Sequence, residues 1–188
     1  MTLRGRVRCF VSVDIEEGGV VEKIIRIQND LQNVGARFKL VEPNNLHLTL
    51  AFIGEIPPSL VDAVKKALNE IKYNSFEVTF KGLGAFPGLS RPRVIWVGVS
   101  KGADKLVELA NTVRASLKRG RIPFDKKEFI PHLTIARVKS GSSKLCAFLK
   151  KNADIDVGSI TVAHVRLKKS TLTSRGPIYE ALYEIQLE

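Results

Sequence analysis

The motif His-x-Thr occurs twice, as His47-Leu48-Thr49 and His132-Leu133-Thr134, and each copy sits in an alternating apolar frame. On a strand, residues two apart share a face, so His47 and Thr49 point one way while Leu46, Leu48 and Leu50 point the other. The second copy repeats this, with His132 and Thr134 opposed to Pro131, Leu133 and Ile135. Upstream of each lies a matching stretch, Phe10-Val11-Ser12-Val13 and Trp96-Val97-Gly98-Val99. Phe10 stands 37 residues before His47, and Trp96 stands 36 before His132. A strand, a helix and a polar-faced histidine strand, given twice, predict a duplicated α+β unit: two lobes about a pseudo-twofold axis. The chain is too short for a solenoid, and no flexible linker divides it, so residues 1–188 are expected to form one bilobal domain of two interleaved lobes.

The remaining periodicity fills in the elements. Arg6 to Asp14 alternates as a half-buried strand. Gly18-Gly19 opens a helix expected to reach about Val34, with Gly35 at its end. A strand is expected over Leu46–Ile53, stopped by Gly54, and a helix from Pro57-Pro58-Ser59 to about Lys72. Strands at Ser75–Leu83 and Arg93–Ser100 flank a Gly- and Pro-rich loop, Gly84 to Pro92. Then come a helix over Ala103–Arg119, a strand over Glu128–Val138 and a helix over Ser143–Asn152. Two long strands, Asp156–Lys169 and Ile178–Leu187, finish the chain across a turn region at Ser170–Pro177.

Two polar strips on pseudo-symmetric strands would face each other across a groove. Two imidazoles aimed at one phosphate supply a general acid and a general base near neutral pH. The hydroxyls of Thr49 and Thr134 could donate to phosphate oxygens and hold phosphorus between the rings. His132 is assigned as the base that activates water and His47 as the acid, although the pseudo-symmetry lets the two roles be exchanged. Each motif brings one imidazole without a neighbouring Asp, Glu or Cys, so a metal site is not expected. The chain has three histidines; His164, beside Arg166 on the polar face of a late strand, reads as solvated or groove-edge.

Around this core stand candidate substrate-binding residues. Strict alternation turns Arg137 away from His132 and Thr134, although a bulge at the strand end could return it to the groove. Arg8 and Phe10 share the polar side of the first strand. Trp96 is the repeat equivalent of Phe10, and Phe86 lies in the Gly84–Pro92 loop. These aromatics could stack on a base or form the groove floor. The runs Lys118–Arg121 and Lys168-Lys169 read as solvated faces.

Thirty Lys and Arg against 19 Asp and Glu give a formal charge of +11, which favours a polyanionic partner. No apolar run is long enough for a membrane span, and no secretory leader is read at the first residues. Cys9 and Cys146 are too few for a disulfide framework and read as buried apolar residues in a reducing compartment, so a cytoplasmic location is expected, and a monomer is the default because no long apolar surface helix stands out.

These stretches resemble the 2H phosphoesterase superfamily, and within it the RNA 2′,3′-cyclic phosphodiesterase (2′-5′ RNA ligase, LigT-like) family. The likeness runs through Arg8-Cys9-Phe10-Val11-Ser12-Val13-Asp14, Asn45 to Gly54, Arg91 to Gly98, Phe129 to Arg137, and Ser170 to Tyr179-Glu180. The resemblance implies two antiparallel sheets facing a central groove with helices outside. It also implies hydrolysis of a terminal RNA 2′,3′-cyclic phosphate to a 2′-phosphate, with no metal or nucleotide cofactor. The alternatives are a 2′-5′ RNA ligase joining tRNA halves at the same site and a non-catalytic RNA-end binding module.

Overall fold

The first strand is buried on both faces, as a strand inside a sheet must be. In the computed structural model, which describes residues 5–174 and 176–188, β1 (Val7–Asp14) buries Cys9, Phe10, Val11, Ser12 and Val13 in succession. It pairs antiparallel with β3 (His47–Ile56) on one side and β8 (His164–Thr173) on the other. With β9 (Gly176–Gln186) these make a four-stranded sheet ordered β3-β1-β8-β9. The second sheet is ordered β2-β6-β5-β4-β7. Its strands are β2 (Arg37–Leu40), β4 (Phe76–Phe86), β5 (Val94–Lys101), β6 (His132–Ser140) and β7 (Asp156–Val162). The repeat is visible in this order: β3-β1-β8 in one sheet corresponds to β6-β5-β4 in the other.

The helices exchange sides. Helix α1 (Gly18–Gln32) buries Val20, Ile24, Ile27 and Leu31 along one stripe and ends before Gly35, whose φ of +71° a side chain would strain. It leaves β1 of the first sheet but packs on β7, β2 and β6 of the second. Helix α3 (Ala103–Arg119) follows β5 of the second sheet and packs on β3 of the first, beside α2 (Val61–Asn69). Helices α1 and α3 thus each pack on the sheet opposite to the one whose strand they follow. Leu31, Leu106, Leu109 and Leu117 are fully buried, each contributing about 1.5–3 kcal/mol. Helix α4 (Ser143–Lys151) closes the β4 side.

Several boundaries differ from the sequence expectation. β3 runs through Gly54, which adopts φ +83° at a shift in register against β1, and ends at Ile56. The Pro-Pro start gives one 3-10 turn, Pro58–Leu60, before α2, which stops at Asn69. β4 continues through Gly84 and Ala85, so Phe86 is on a strand rather than in a loop. β6 begins at His132, not Glu128. The expected strand Asp156–Lys169 is two strands in different sheets, broken at Ala163. β2 was not foreseen: it is four residues long and carries Arg37 and Lys39. Cys9 is buried as expected, whereas Cys146 is half-buried. No helix among the described residues is long and apolar enough to cross a membrane.

Candidate active site

Both histidine strands carry a bulge directly after the motif. Against β1, Thr49 pairs with Ser12 and Ala51 with Val11, leaving Leu50 unmatched. Against β5, Thr134 pairs with Trp96 and Ala136 with Ile95, leaving Ile135 unmatched. The extra residue resets the alternation. Leu50 and Ala51 are both buried, as are Ile135 and Ala136, and the next residues, Phe52 and Arg137, return to the face of the histidine and threonine. Arg137 therefore opens into the groove, by the route that strict alternation denied it.

Each bulge carbonyl is held by a helix from the opposite half. Gln28 on α1 is buried, and its Nε2 donates to Ile135 O (2.9 Å) and Val41 O (2.8 Å). Arg114 on α3 donates from Nε to Leu50 O (3.2 Å). Gln28 lies 18 residues after Phe10, and Arg114 lies 18 after Trp96. The two fastenings are pseudo-symmetric partners.

The imidazoles are set alike. His47 Nδ1 lies 2.7 Å from Asn45 O, and His132 Nδ1 lies 2.6 Å from Ile130 O. A carbonyl can only accept, so in each ring Nδ1 carries the proton and donates it, which leaves Nε2 for a substrate. Both rings, with Thr49 and Thr134, line one cleft of about 1210 Å³. Arg8 and Arg137 line it too, from opposite lobes. The Arg8 guanidinium stands over the Phe52 ring at 4.6 Å, so the residue matching Arg137 in the repeat supports a second arginine instead.

The surroundings of the two rings differ. Phe10 lies 5.0 Å from His47 and from Tyr179, and Tyr179 meets His47 edge-on at 5.3 Å. Burial among them pushes the His47 imidazole down to about 4; Lys168 and His132 act the same way, against the Asn45 hydrogen bond and Asp14. Lys168 is 4% exposed and donates to both oxygens of Asp14 at 2.9 and 3.0 Å. Burial works to raise the Asp14 carboxyl, but hydrogen bonds from Arg166 and Lys168 outweigh it and hold it below the usual carboxylate range. Burial raises the Tyr179 phenol, opposed by the charges of Arg137 and Arg8. Among the described residues no three His, Cys, Asp or Glu side chains cluster so as to hold a metal ion.

A doubled, interleaved unit with one such motif per half is reflected in the comparison with known families, where the profile of the LigT like phosphoesterases matches twice, over residues 15–96 and 97–179. The chain belongs to the LigT-like phosphoesterases. A relative from Aquifex aeolicus, named RNA 2′,3′-cyclic phosphodiesterase, is 43% identical over 98% of this chain and 97% of its own. One of the same name from Aeropyrum pernix is 38% identical over 89% of this chain and 96% of its own. Among solved structures, a Thermus thermophilus protein superposes with a TM-score of 0.80 at 28% identity, covering 96% of this chain and 97% of its own. Apo E. coli LigT follows with 0.79 at 26%, covering 97% and 98%.

In this LigT-like cleft the structure brings together His47, Thr49, His132, Thr134, Arg8, Arg137 and Phe10. Phe10 is the buried floor, 4% exposed. Trp96 and Phe86 do not line the cleft. Phe86 meets His132 edge-on at 5.0 Å, and Trp96 packs behind Phe86 at 5.3 Å. His164 lies outside, 3.4 Å from Glu184. Three residues of the site were not foreseen in their roles: Tyr179, Asp14 and Lys168. Lys168 belongs to a pair read as a solvated face, yet it points inward to Asp14, whereas its neighbour Lys169 reaches Glu180 at the surface.

Proposed function

We propose that this LigT-like chain is an RNA 2′,3′-cyclic phosphodiesterase that opens a terminal 2′,3′-cyclic phosphate to a 2′-phosphate without metal or nucleotide cofactor. The observation that carries this reading is the pair of Nδ1-anchored imidazoles, each with a threonine hydroxyl, opening on one cleft. The names of the Aquifex and Aeropyrum relatives support it. So do the crystal structures of E. coli LigT with 3′-AMP and with ATP, which place nucleotides on that protein.

Water attacks phosphorus, the P–O3′ bond breaks, and O3′ leaves as a hydroxyl. One imidazole takes the water proton at Nε2 while the other delivers its Nε2 proton to O3′, so the pair exchanges protonation states and solvent restores them. Such transfers typically contribute 10²–10⁴-fold each. Thr49 and Thr134 donate to the nonbridging oxygens, and Arg8 and Arg137 offset the charge that builds there. Burial keeps the His47 imidazole uncharged near neutral pH in the free protein. RNA ends such as those of tRNA halves are the substrates we assign, taken by a monomer in the cytoplasm.

The test is incubation of a short RNA ending in 2′,3′-cyclic phosphate, with excess EDTA, and identification of the phosphomonoester. Accumulation of the 2′-phosphate at an undiminished rate is expected. A 3′-phosphate product, or loss of turnover on chelation, would defeat the reading.

A further inference from the structure

The catalytic cleft is larger than its chemistry requires. Its volume of about 1210 Å³ exceeds the roughly 300–1,000 Å³ that encloses a drug-sized ligand. Part of the cleft wall is the β8–β9 hairpin, whose end meets both β2 of the other sheet and the turn before β3. There Asn45 Nδ2 donates to Pro177 O (3.4 Å), and the Lys39 ammonium packs against Gly176. On this arm Leu172 is 60% exposed and Ile178 61%, and both line the cleft. Among the described residues the other large apolar side chain left so open, Ile130 at 51%, is the one whose carbonyl anchors His132. Two of the three large apolar side chains left in water among the described residues thus line the mouth of the active site, where a folded monomer gains nothing from them.

What could cover them is narrowed by charge. Lys39, Arg8 and Arg137 line the same cleft, and Glu42 is its one acidic side chain among the described residues. A second copy of a chain carrying +11 would be repelled, and an acidic partner with apolar faces at regular intervals would be drawn in. Single-stranded RNA has that chemistry: unpaired bases supply flat apolar faces and the backbone supplies one anion per nucleotide. Resting on the phosphodiesterase reading above, we propose that the β8–β9 arm is a binding strip for the nucleotides upstream of the cyclic phosphate. Leu172 and Ile178 take bases, and Lys39 takes a backbone phosphate. The preferred substrate is then a single-stranded RNA end several nucleotides long, not a cyclic mononucleotide.

The experiment compares kcat/KM for uridine 2′,3′-cyclic phosphate and a four-uridine RNA with the same end, in the wild type and in a Leu172→Ser, Ile178→Ser variant. The wild type should favour the longer substrate by about tenfold or more, since covering an exposed Leu or Ile side chain can exceed the roughly 1.4 kcal/mol of a tenfold step. In the variant that ratio should fall toward one. A wild-type ratio near one, or a ratio unchanged in the variant, overturns the proposal. A second readout does not depend on turnover: fluorescence anisotropy of a labelled four-uridine RNA with a 3′-hydroxyl. Weaker binding by the variant supports the strip even if no cyclic end is hydrolysed, a result that would instead sink the assigned reaction. Equal binding overturns the strip, as does sedimentation showing a wild-type dimer that the variant dissolves.

Discussion

His47 and His132 share a motif, a bulge, a tautomer and a fastening helix, yet they sit in different surroundings. Across β1, Phe10 pairs with Lys168; across β5, the repeat equivalent Trp96 pairs with Gly84. One position therefore carries a buried ammonium in one lobe and a hydrogen atom in the other. The missing side chain is required: a Cβ on Gly84 would overlap the Trp96 ring, which fills the space beside Gly84. Backbone geometry anchors the two rings alike at Nδ1, while burial, helped by the Lys168 charge from the neighbouring strand, lowers the proton affinity of His47. Two identical imidazoles would compete for one proton; differently housed ones can hold opposite states.

The largest effect expected is from the rings themselves. Replacing either His47 or His132 with Ala should lower kcat about 10²–10⁴-fold, and the double variant should be little worse than either single one because they act as a unit. Multiplicative losses would break the account of a shared phosphorus. Next comes the asymmetry. Removing the cation in Lys168→Met should raise the proton affinity of His47, since a nearby positive charge disfavours the protonated ring. One limb of the bell-shaped kcat/KM profile should then move to higher pH while the other stays. Movement of the acidic limb makes His47 the base, and movement of the alkaline limb makes it the acid. Two unmoved limbs would contradict the role given to Lys168.

The fastenings offer a subtler comparison. Gln28→Leu removes the side-chain donor to Val41 O and one of the two donors to Ile135 O, the other being the Val41 N–H, and should cost about 1–3 kcal/mol in thermal or denaturant unfolding, with KM raised through the displaced Arg137. Arg114→Leu should cost less, because the Arg114 pair is only partly buried. Equal costs would show the halves to be held alike. The smallest functional effect expected is from Gly84→Ala. Overpacking against Trp96 should destabilise the fold by about 1–3 kcal/mol, while turnover changes little.

The duplicated motif made the polar faces of β3 and β6 legible, and α3 lies where its stripe of Leu106, Leu109, Val113 and Leu117 puts it. The orientation of Arg137 was undetermined because a bulge arises from pairing with a second strand, which alternation within one strand does not contain. β2 was missed for a related reason: four residues with two charges form a strand here only because β6 offers an edge, and Gln28 ties the chain just beyond it at Val41. Lys168 misled because a Lys-Lys pair ordinarily seeks water. Its partner Asp14 stood in sight, two residues from Ser12 and four from Phe10 on the same face of β1, and a charge on that parity is the signal that could have exposed the buried pair.

The shared phosphorus can be observed without turnover, by following the imidazole resonances of the three histidines during titration with a nucleoside 2′-phosphate, the assigned product. His47 and His132 should both shift and saturate together at one ligand per chain, with His47 titrating near pH 4 in the free protein, while His164 stays still. A response from one ring alone, or from each at a separate concentration, would contradict the convergence on which the whole account rests.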